Sequence, residues 1–367
     1  MKKIILSKPL INITDTINIT RNVLKNNFPN EGKQTKEFEK KICNFLKVKY
    51  AATTTSGTTA IFLALKACGV KNNDEVIIPN ITFPATANAV AMAGAKPVLV
   101  DINQKNLLID EKALLKKITK KTKFLIPVHV SGRGKNIKNI VNICRKKSIK
   151  IIEDAAEAFG SKYEKKFLGT FGEAGCFSFA PNKIITTGQG GVVVTNSKKI
   201  YLNLKRLKDQ GRVGLTSGGE DNYRSKGYNF KFSNLQSSLG LSQLKNINWR
   251  MKKLNKIHEY YVKNIRQNSK FKIINFNFKK GELPLWTDVY CEKRNKLFNF
   301  LKAKNVICRY YWHPMNTCFP YKSSFQTLSN SKKIQKKMMW LPSSLDMSLK
   351  EQKKVCNLIN LFLKNNN

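Results

Sequence analysis

The sequence predicts an α/β protein with a mostly parallel sheet buried between helices. Three observations carry that prediction. Short, continuously apolar runs recur between residues 50 and 196, stretches of helical periodicity separate several of them, and glycine-containing or polar turns close them. A strand with one solvated face alternates apolar and polar side chains, whereas a strand covered on both faces does not.

Taken in order, Lys33 to Phe45 sets Phe38, Ile42 and Phe45 among charges, the pattern of an amphipathic helix. Tyr50-Ala51-Ala52-Thr53-Thr54 reads as a strand, Ser56-Gly57-Thr58-Thr59 as a tight turn, and AIFLALKACGV as a helix that stops at a glycine. Further strands read as EVIIP (75–79), KPVLVDI (96–102), KFLIPVHV (123–130), KIIEDA (150–155), GCFSFA (175–180) and GGVVVTN (190–196).

Two of these strands lead into residues with a chemistry of their own. Asp154 closes the apolar start of IIEDAAEAFGS, and Lys183 follows the strand in EAGCFSFAPNKIITTGQGGVVVTN. A lysine and a buried carboxylate are what a pyridoxal phosphate (PLP) site requires. The amine holds the cofactor as a Schiff base, and the carboxylate keeps the pyridine nitrogen protonated so that the ring accepts electrons. Most lysines of so basic a chain are solvated. One set between Cys176-Phe177-Ser178-Phe179 and a Thr-Thr-Gly-Gln-Gly-Gly turn is an ammonium whose burial needs a reason. In the earlier turn, Ser56 is a good N-cap, Gly57 lets the backbone approach an anion, and free amides open the helix. Alone, such a turn merely caps a helix. With Asp154 and Lys183 in the same sheet it becomes the expected anchor for the cofactor phosphate, because ligands collect at the strand ends of open parallel sheets.

Composition excludes other classes. The 367 residues suffice for one large domain and a smaller one. With 41% hydrophobic residues and no apolar run near the ~18 residues of a membrane helix, no span is expected. The start MKKIILSKPLINITD superficially suggests a signal peptide, but Lys8 and Pro9 break its apolar patch and it reads as mature protein. Cysteines at 43, 68, 144, 176, 291, 308, 318 and 356 form no close pair, which fits neither a metal site nor a disulfide scaffold and suits a reducing cytoplasm. The net charge of +44 attracts polyphosphates nonspecifically, yet the lysines spread along the whole chain without a nucleic-acid-binding signature. They accompany an excess of asparagine, isoleucine and phenylalanine, as AT-rich codon usage produces.

A wider set of motifs carries a resemblance. FPNEGKQTKEFEKKI (28–42), TSGTTAIFLAL (55–65), DEVIIPNITFPATANAV (74–90), PVLVDI (97–102), IIEDAAEAFGS (151–161), GTFGEAGCFSFAPNK (169–183), TTGQGGVVVTN (186–196) and GYNFKFSNLQSSLGLSQL (227–244) follow one another in order. Together they resemble the nucleotide-sugar aminotransferases of the DegT/DnrJ/StrS group, PLP enzymes of fold type I. The C-terminal third resembles them more loosely, through RYYWHPMNTCFPY (309–321) and a final helix after WLPSSLDMS. The resemblance implies a large PLP-binding domain over residues 1–245 and a smaller α+β domain over residues 246–367.

By the same resemblance, Lys183 is the cofactor lysine and the acid/base, and Asp154 the pyridinium partner. Phe83 lies against the cofactor ring, although taken alone it reads as a core phenylalanine. Gly57, Thr58 and Ser178 bind the phosphate. Glu157 stands beside the phenolic oxygen, where glutamine is common, and either tunes protonation there or hydrogen-bonds as the neutral acid. Asn229 in GYNF resembles an asparagine that a neighbouring subunit contributes, which implies a homodimer with shared active sites. Arg212, Lys231, Tyr310, His313 and Asn316 are the expected substrate contacts, with Arg309 a further basic candidate for a diphosphate. Three departures fall around the substrate: Gln189 replaces an acid, Lys231 replaces arginine, and Pro314-Met315-Asn316 replaces Pro-Leu-His, with His313 displaced before the proline. His129 reads as structural, and His258 receives no role.

The function implied is transfer of an amino group from L-glutamate to a keto group, at carbon 4, of a nucleotide-linked 4-keto-6-deoxy sugar, for a surface polysaccharide or glycan. Alternatives are a carbon 3 sugar or keto-cyclitol aminotransferase and a non-enzymatic regulator that kept the fold. Intact Lys183 and Asp154 argue against the last.

Overall fold

All seven apolar runs assemble into one sheet. The computed structural model describes residues 3–26, 29–213, 222–322 and 328–366; Met1, Lys2 and Phe28, which belong to runs read above, lie outside them. Tyr50–Thr54 (β1), Glu75–Pro79 (β2), Lys96–Val100 (β3), Thr122–Leu125 (β4), Lys150–Asp154 (β5), Ala174–Ser178 (β6) and Gly191–Thr195 (β7) lie in the order β1-β7-β6-β5-β4-β2-β3. Neighbours from β6 across to β3 are parallel, and β7 runs antiparallel to both β1 and β6. The mostly parallel, mixed sheet of the sequence prediction is thus present. β7 reverses direction because the connection from Ser178 to Gly191 contains no crossover helix to carry the chain back. β4 is shorter than predicted, ending at Leu125. Pro127 has no amide to extend the ladder, and the chain passes through a single Val128–Asp154 bridge into a 3-10 turn at Val130–Gly132.

Register fixes where the chemistry can sit. Thr54 pairs with Gly191, Gly191 with Ser178, and Asp154 with Cys176. The ends of β1, β5 and β6, and the loop leading into β7, therefore share one edge of the sheet.

Helices cover both faces. Ile13–Asn26 (α1) is rich in threonine, isoleucine and asparagine, poor helix formers, and so carries little sequence signal. Tertiary bonds hold it instead: Asp15 accepts from Gln243 Nε2 at 2.6 Å, and Asn18 donates to Ser242 at 3.1 Å. Lys33–Leu46 (α2) buries Phe38 and Ile42 completely, with the Phe38 ring 5.4 Å from that of Phe179. Burying such a ring contributes about 1.5–3 kcal/mol. Gly57–Ala67 (α3) and Pro84–Met92 (α4) begin at the functional edge, the second with proline at its first turn, where no amide is missed.

A second sheet of four antiparallel strands follows. Phe271–Ile273 (β8), Thr287–Cys291 (β9), Arg309–Tyr310 (β10) and Met338–Leu341 (β11) lie in the order β8-β9-β11-β10. Helices Ile247–Asn264, Arg294–Ala303 and Leu349–Lys364 supply much of its core. The N-terminal arm belongs here too: Ile4 lies in that core and bridges Val306, and Ser343 N donates to Leu6 O at 2.8 Å. The sheets are joined at Asp288, fully buried in β9, which accepts from Ser131 Oγ at 3.0 Å and Trp340 Nε1 at 2.7 Å and pairs with Arg133. No helix among the described residues is long and apolar enough to cross a membrane.

One buried group gives the fold a pH signature. His258, on Ile247–Asn264, is 1% exposed against the rings of Phe276 and Phe278, and burial, helped by Arg133, pushes its pKa from 6.5 to about 3. The unfolded chain takes up a proton that the native state refuses, so the stability linked to this ring is complete above pH 6.5 and lost as pH falls towards 3. The variant His258→Gln should lose less thermal stability between about pH 7 and about pH 5 than the wild type, the difference approaching ~1.4 kcal/mol per pH unit. Calorimetric melting curves that fall in parallel would mean the imidazole is not shielded.

Candidate active site

The shared edge opens into a cavity of ≈ 350 Å³, walled by the first sheet on one side and the second on the other. At its floor, Ser56 caps α3: its Oγ accepts from Thr59 N at 3.1 Å, and Thr59 Oγ1 accepts from Ser56 N at 2.9 Å. The first intrahelical bond runs from Ala60 N to Ser56 O, so the preceding amides of Gly57 and Thr58 remain at the helix start, where both residues line the cavity. Ser178, ending β6, closes this cradle. A Cβ on Gly57 would stand 2.9 Å from Ser178 Cβ, so only glycine lets the turn and the strand end approach this closely.

Asp154 ends β5 and is 5% exposed. Its Oδ2 accepts from Thr86 Oγ1 at 2.7 Å and its Oδ1 from Ala156 N at 3.1 Å. Burial pushes its pKa up, while Thr86, Ala156 and the charge of Lys183 oppose the rise. It makes no ion pair among the described residues, so a buried carboxylate lines the cavity. Lys183, on the 179–190 loop, reaches Glu157 Oε1 at 3.4 Å, with side-chain exposures of 12% and 7%. Glu157 also accepts from Trp286 Nε1 at 3.0 Å through Oε1 and from the Ser131 amide at 2.9 Å through Oε2. Phe83 is 51% exposed, an apolar ring left open on the cavity wall.

This donor set fits PLP. Helix-terminal amides and a serine suit the phosphate, the buried Asp154 suits a pyridinium nitrogen, Lys183 offers an amine, and Phe83 a flat apolar face.

The structure brings together Gly57, Thr58, Phe83, Asp154, Glu157, Ser178 and Lys183, all of them cavity-lining. Other expected residues stand elsewhere. Asn229 is exposed and bridges Asp209, Lys231 pairs with Asp209 at 2.9 Å, and Arg212 lies over the Tyr223 ring, all outside the cavity wall. His313 is exposed, and Asn316 exchanges hydrogen bonds with Asn80, its N and Oδ1 each at 3.0 Å. Tyr310 also stands away from the cavity wall: side chains alternate along β10, so Arg309 lines the cavity while Tyr310 turns to the other face, 4.1 Å from the Phe298 ring and beneath Arg294. His129 is structural, buried between Glu153 and the carbonyl of Arg133.

Sequence reasoning missed the far wall. Trp286, Trp312 and Trp340, three of the four tryptophans in the chain, line the cavity with Arg309 and Leu6. They fall in the third of the chain with the loosest motifs, and their scarcity is the only signal they give. Thr86, the donor to Asp154, was within sight in ITFPATANA.

Comparison with known proteins agrees with this geometry. Residues 12–360 match the DegT/DnrJ/EryC1/StrS aminotransferase family. The GDP-perosamine synthase of Escherichia coli O157:H7 is 33% identical over 336 residues, 90% of this chain and 91% of that protein. The UDP-4-amino-4,6-dideoxy-N-acetyl-beta-L-altrosamine transaminase of Campylobacter jejuni is 33% identical over 342 residues, 90% of each. Among solved structures, Helicobacter pylori PseC, an aminotransferase involved in the biosynthesis of pseudoaminic acid, superposes with a TM-score of 0.94 at 26% identity, covering 99% of this chain and 100% of that one.

The cradle yields a direct test. Gly57→Ala should raise the dissociation constant for PLP about tenfold or more, equivalent to ~1.4 kcal/mol, with the fold intact by circular dichroism. Titration of the apoprotein reads this, and an unchanged constant would remove the turn from the phosphate site.

Proposed function

The chain belongs to the DegT/DnrJ/EryC1/StrS aminotransferase family, and from that premise we propose that it moves an amino group from L-glutamate to the 4-keto group of a nucleotide-linked 4-keto-6-deoxy sugar, in the making of a surface polysaccharide or glycan. It is a PLP-dependent sugar aminotransferase. The observation that carries the reading is the meeting of Lys183, Asp154 and the Ser56-Gly57-Thr58 turn in one cavity. Carbon 4 and the 6-deoxy ring are supported by the name of the Campylobacter relative, a 4-amino-4,6-dideoxy sugar transaminase.

PLP supplies an electron sink for the carbanion formed when the donor loses its α-proton. The chain supplies the rest. Lys183 Nζ would anchor the cofactor and move the proton as general base and then general acid. Asp154 would keep the ring nitrogen charged, Gly57, Thr58 and Ser178 would hold the phosphate, Phe83 would pack against the ring, and Glu157 would stand beside the phenolic oxygen. Arg309, on the cavity wall, would meet a diphosphate, and Arg212, Lys231, Tyr310, His313 and Asn316, which stand outside that wall, are the further substrate contacts we propose.

Asn229 fits best as a contribution from a second copy. It is exposed and outside its own cavity, so it reaches a phosphate only in a homodimer with shared sites. We assign residues 1–245 to the large domain and 246–367 to the small one, with the N-terminal arm crossing to the latter, and place the protein in the cytoplasm.

With PLP bound, the visible absorption band should bleach on addition of L-glutamate and return with a 4-keto-6-deoxy sugar nucleotide but not with the free sugar. Lys183→Ala should abolish the band and turnover while leaving the fold intact; residual turnover would sink the assignment. Mixing Lys183→Ala with Asn229→Ala should restore activity in hybrids that hold one intact shared site, whereas inactive hybrids would place Asn229 in its own chain's site.

A further inference from the structure

We propose that Trp286 is a positioning residue: its indole holds the Glu157 carboxylate against Lys183, so that a residue leading into the second sheet orients the group in contact with the reactive amine. This rests on the reading of Lys183 as the cofactor lysine.

Hydrogen-bond accounting leads there. Glu157 Oε1 accepts from Trp286 Nε1 at 3.0 Å and faces Lys183 Nζ at 3.4 Å, while Oε2 accepts from Ser131 N at 2.9 Å. An indole N–H and a backbone amide donate and never accept. Each oxygen therefore meets a dedicated donor from the protein, an arrangement that suits a carboxylate and fixes its orientation against Lys183.

The donors are themselves held. Ser131 has φ 53°, in the left-handed region, and is kept there by its hydroxyl on Asp288 Oδ1 at 3.0 Å and by Leu285 N on its carbonyl at 3.0 Å. Leu285, Trp286 and Asp288 lead into and along β9, so one short segment orients both donors to Glu157. The other charged or titratable groups acting on this region are Asp154 from β5, Tyr311 beside β11, and the Arg133–Asp288 pair. Lys183 is the cation in contact with Glu157.

The test is a double-mutant cycle on the pH midpoint of the visible band of the PLP-loaded protein. Glu157→Gln removes the anion beside the Lys183 nitrogen, which should lower the midpoint by about one unit or more. In a Trp286→Phe background the same substitution should lower it by less than half as much. Equal shifts in the two backgrounds would overturn the proposal, since an indole that only fills space cannot alter that coupling. A second readout needs neither cofactor nor a folded Trp286→Phe protein. In the apoprotein, Glu157→Gln should move one of the four tryptophan indole N–H resonances upfield and leave that of Trp340, held by Asp288, in place. Four unmoved resonances would equally overturn it. Absence of any visible band with PLP would instead reject the cofactor reading, while the indole measurement still judged the Trp286–Glu157 contact.

Discussion

Two consecutive carboxylates end the central strand, and much of the surrounding architecture satisfies them separately. Strand alternation sends Glu153 and Asp154 to opposite faces of β5. Glu153, fully buried, takes His129 Nε2 at 2.9 Å and the amides of Gly169, Phe171 and Gly172 at 2.8, 2.5 and 2.8 Å, which pins the loop before β6. Asp154 receives only Thr86 and Ala156 and is left facing the cavity. Burying a carboxylate costs several kcal/mol, which makes the difference in partners notable. One carboxylate of the strand end holds the scaffold together, and the other is turned to the cavity.

How much of this was legible in the sequence follows from where each signal is encoded. Continuous apolar runs announced every strand of the first sheet, because burial on both faces dictates composition locally. Lys183, Asp154 and the Ser56 turn, which the structure places around one cavity, were legible because each lies at or shortly after the end of an apolar strand run. The antiparallel course of β7 was not, since direction depends on what lies between strands. That Arg309 and not Tyr310 faces the cavity was not legible either, because a two-residue strand offers no periodicity from which to read the face its side chains take. α1 escaped because its stability lies in contacts with residues more than two hundred positions away, such as Gln243 and Ser242.

The second sheet is more than a lid on the first. Its buried Asp288 ties together Ser131, Arg133 and Trp340, and Trp286 from its edge reaches the carboxylate that touches Lys183. Buried hydrogen bonds and an ion pair therefore join the two walls of the cavity.

The N-terminal arm contributes to this arrangement as well. Ile4 is buried in the second core, Leu6 reaches the cavity, and the carbonyl of Leu10 accepts from Gln243 at 3.0 Å and from Arg250 at 2.9 Å near the first sheet. The arm is thus anchored at Ile4 and again at Leu10, and the stretch between the two anchors carries Leu6 to the cavity wall. Part of the cleft's apolar lining is therefore supplied by the very start of the chain, far in sequence from every other residue of that wall.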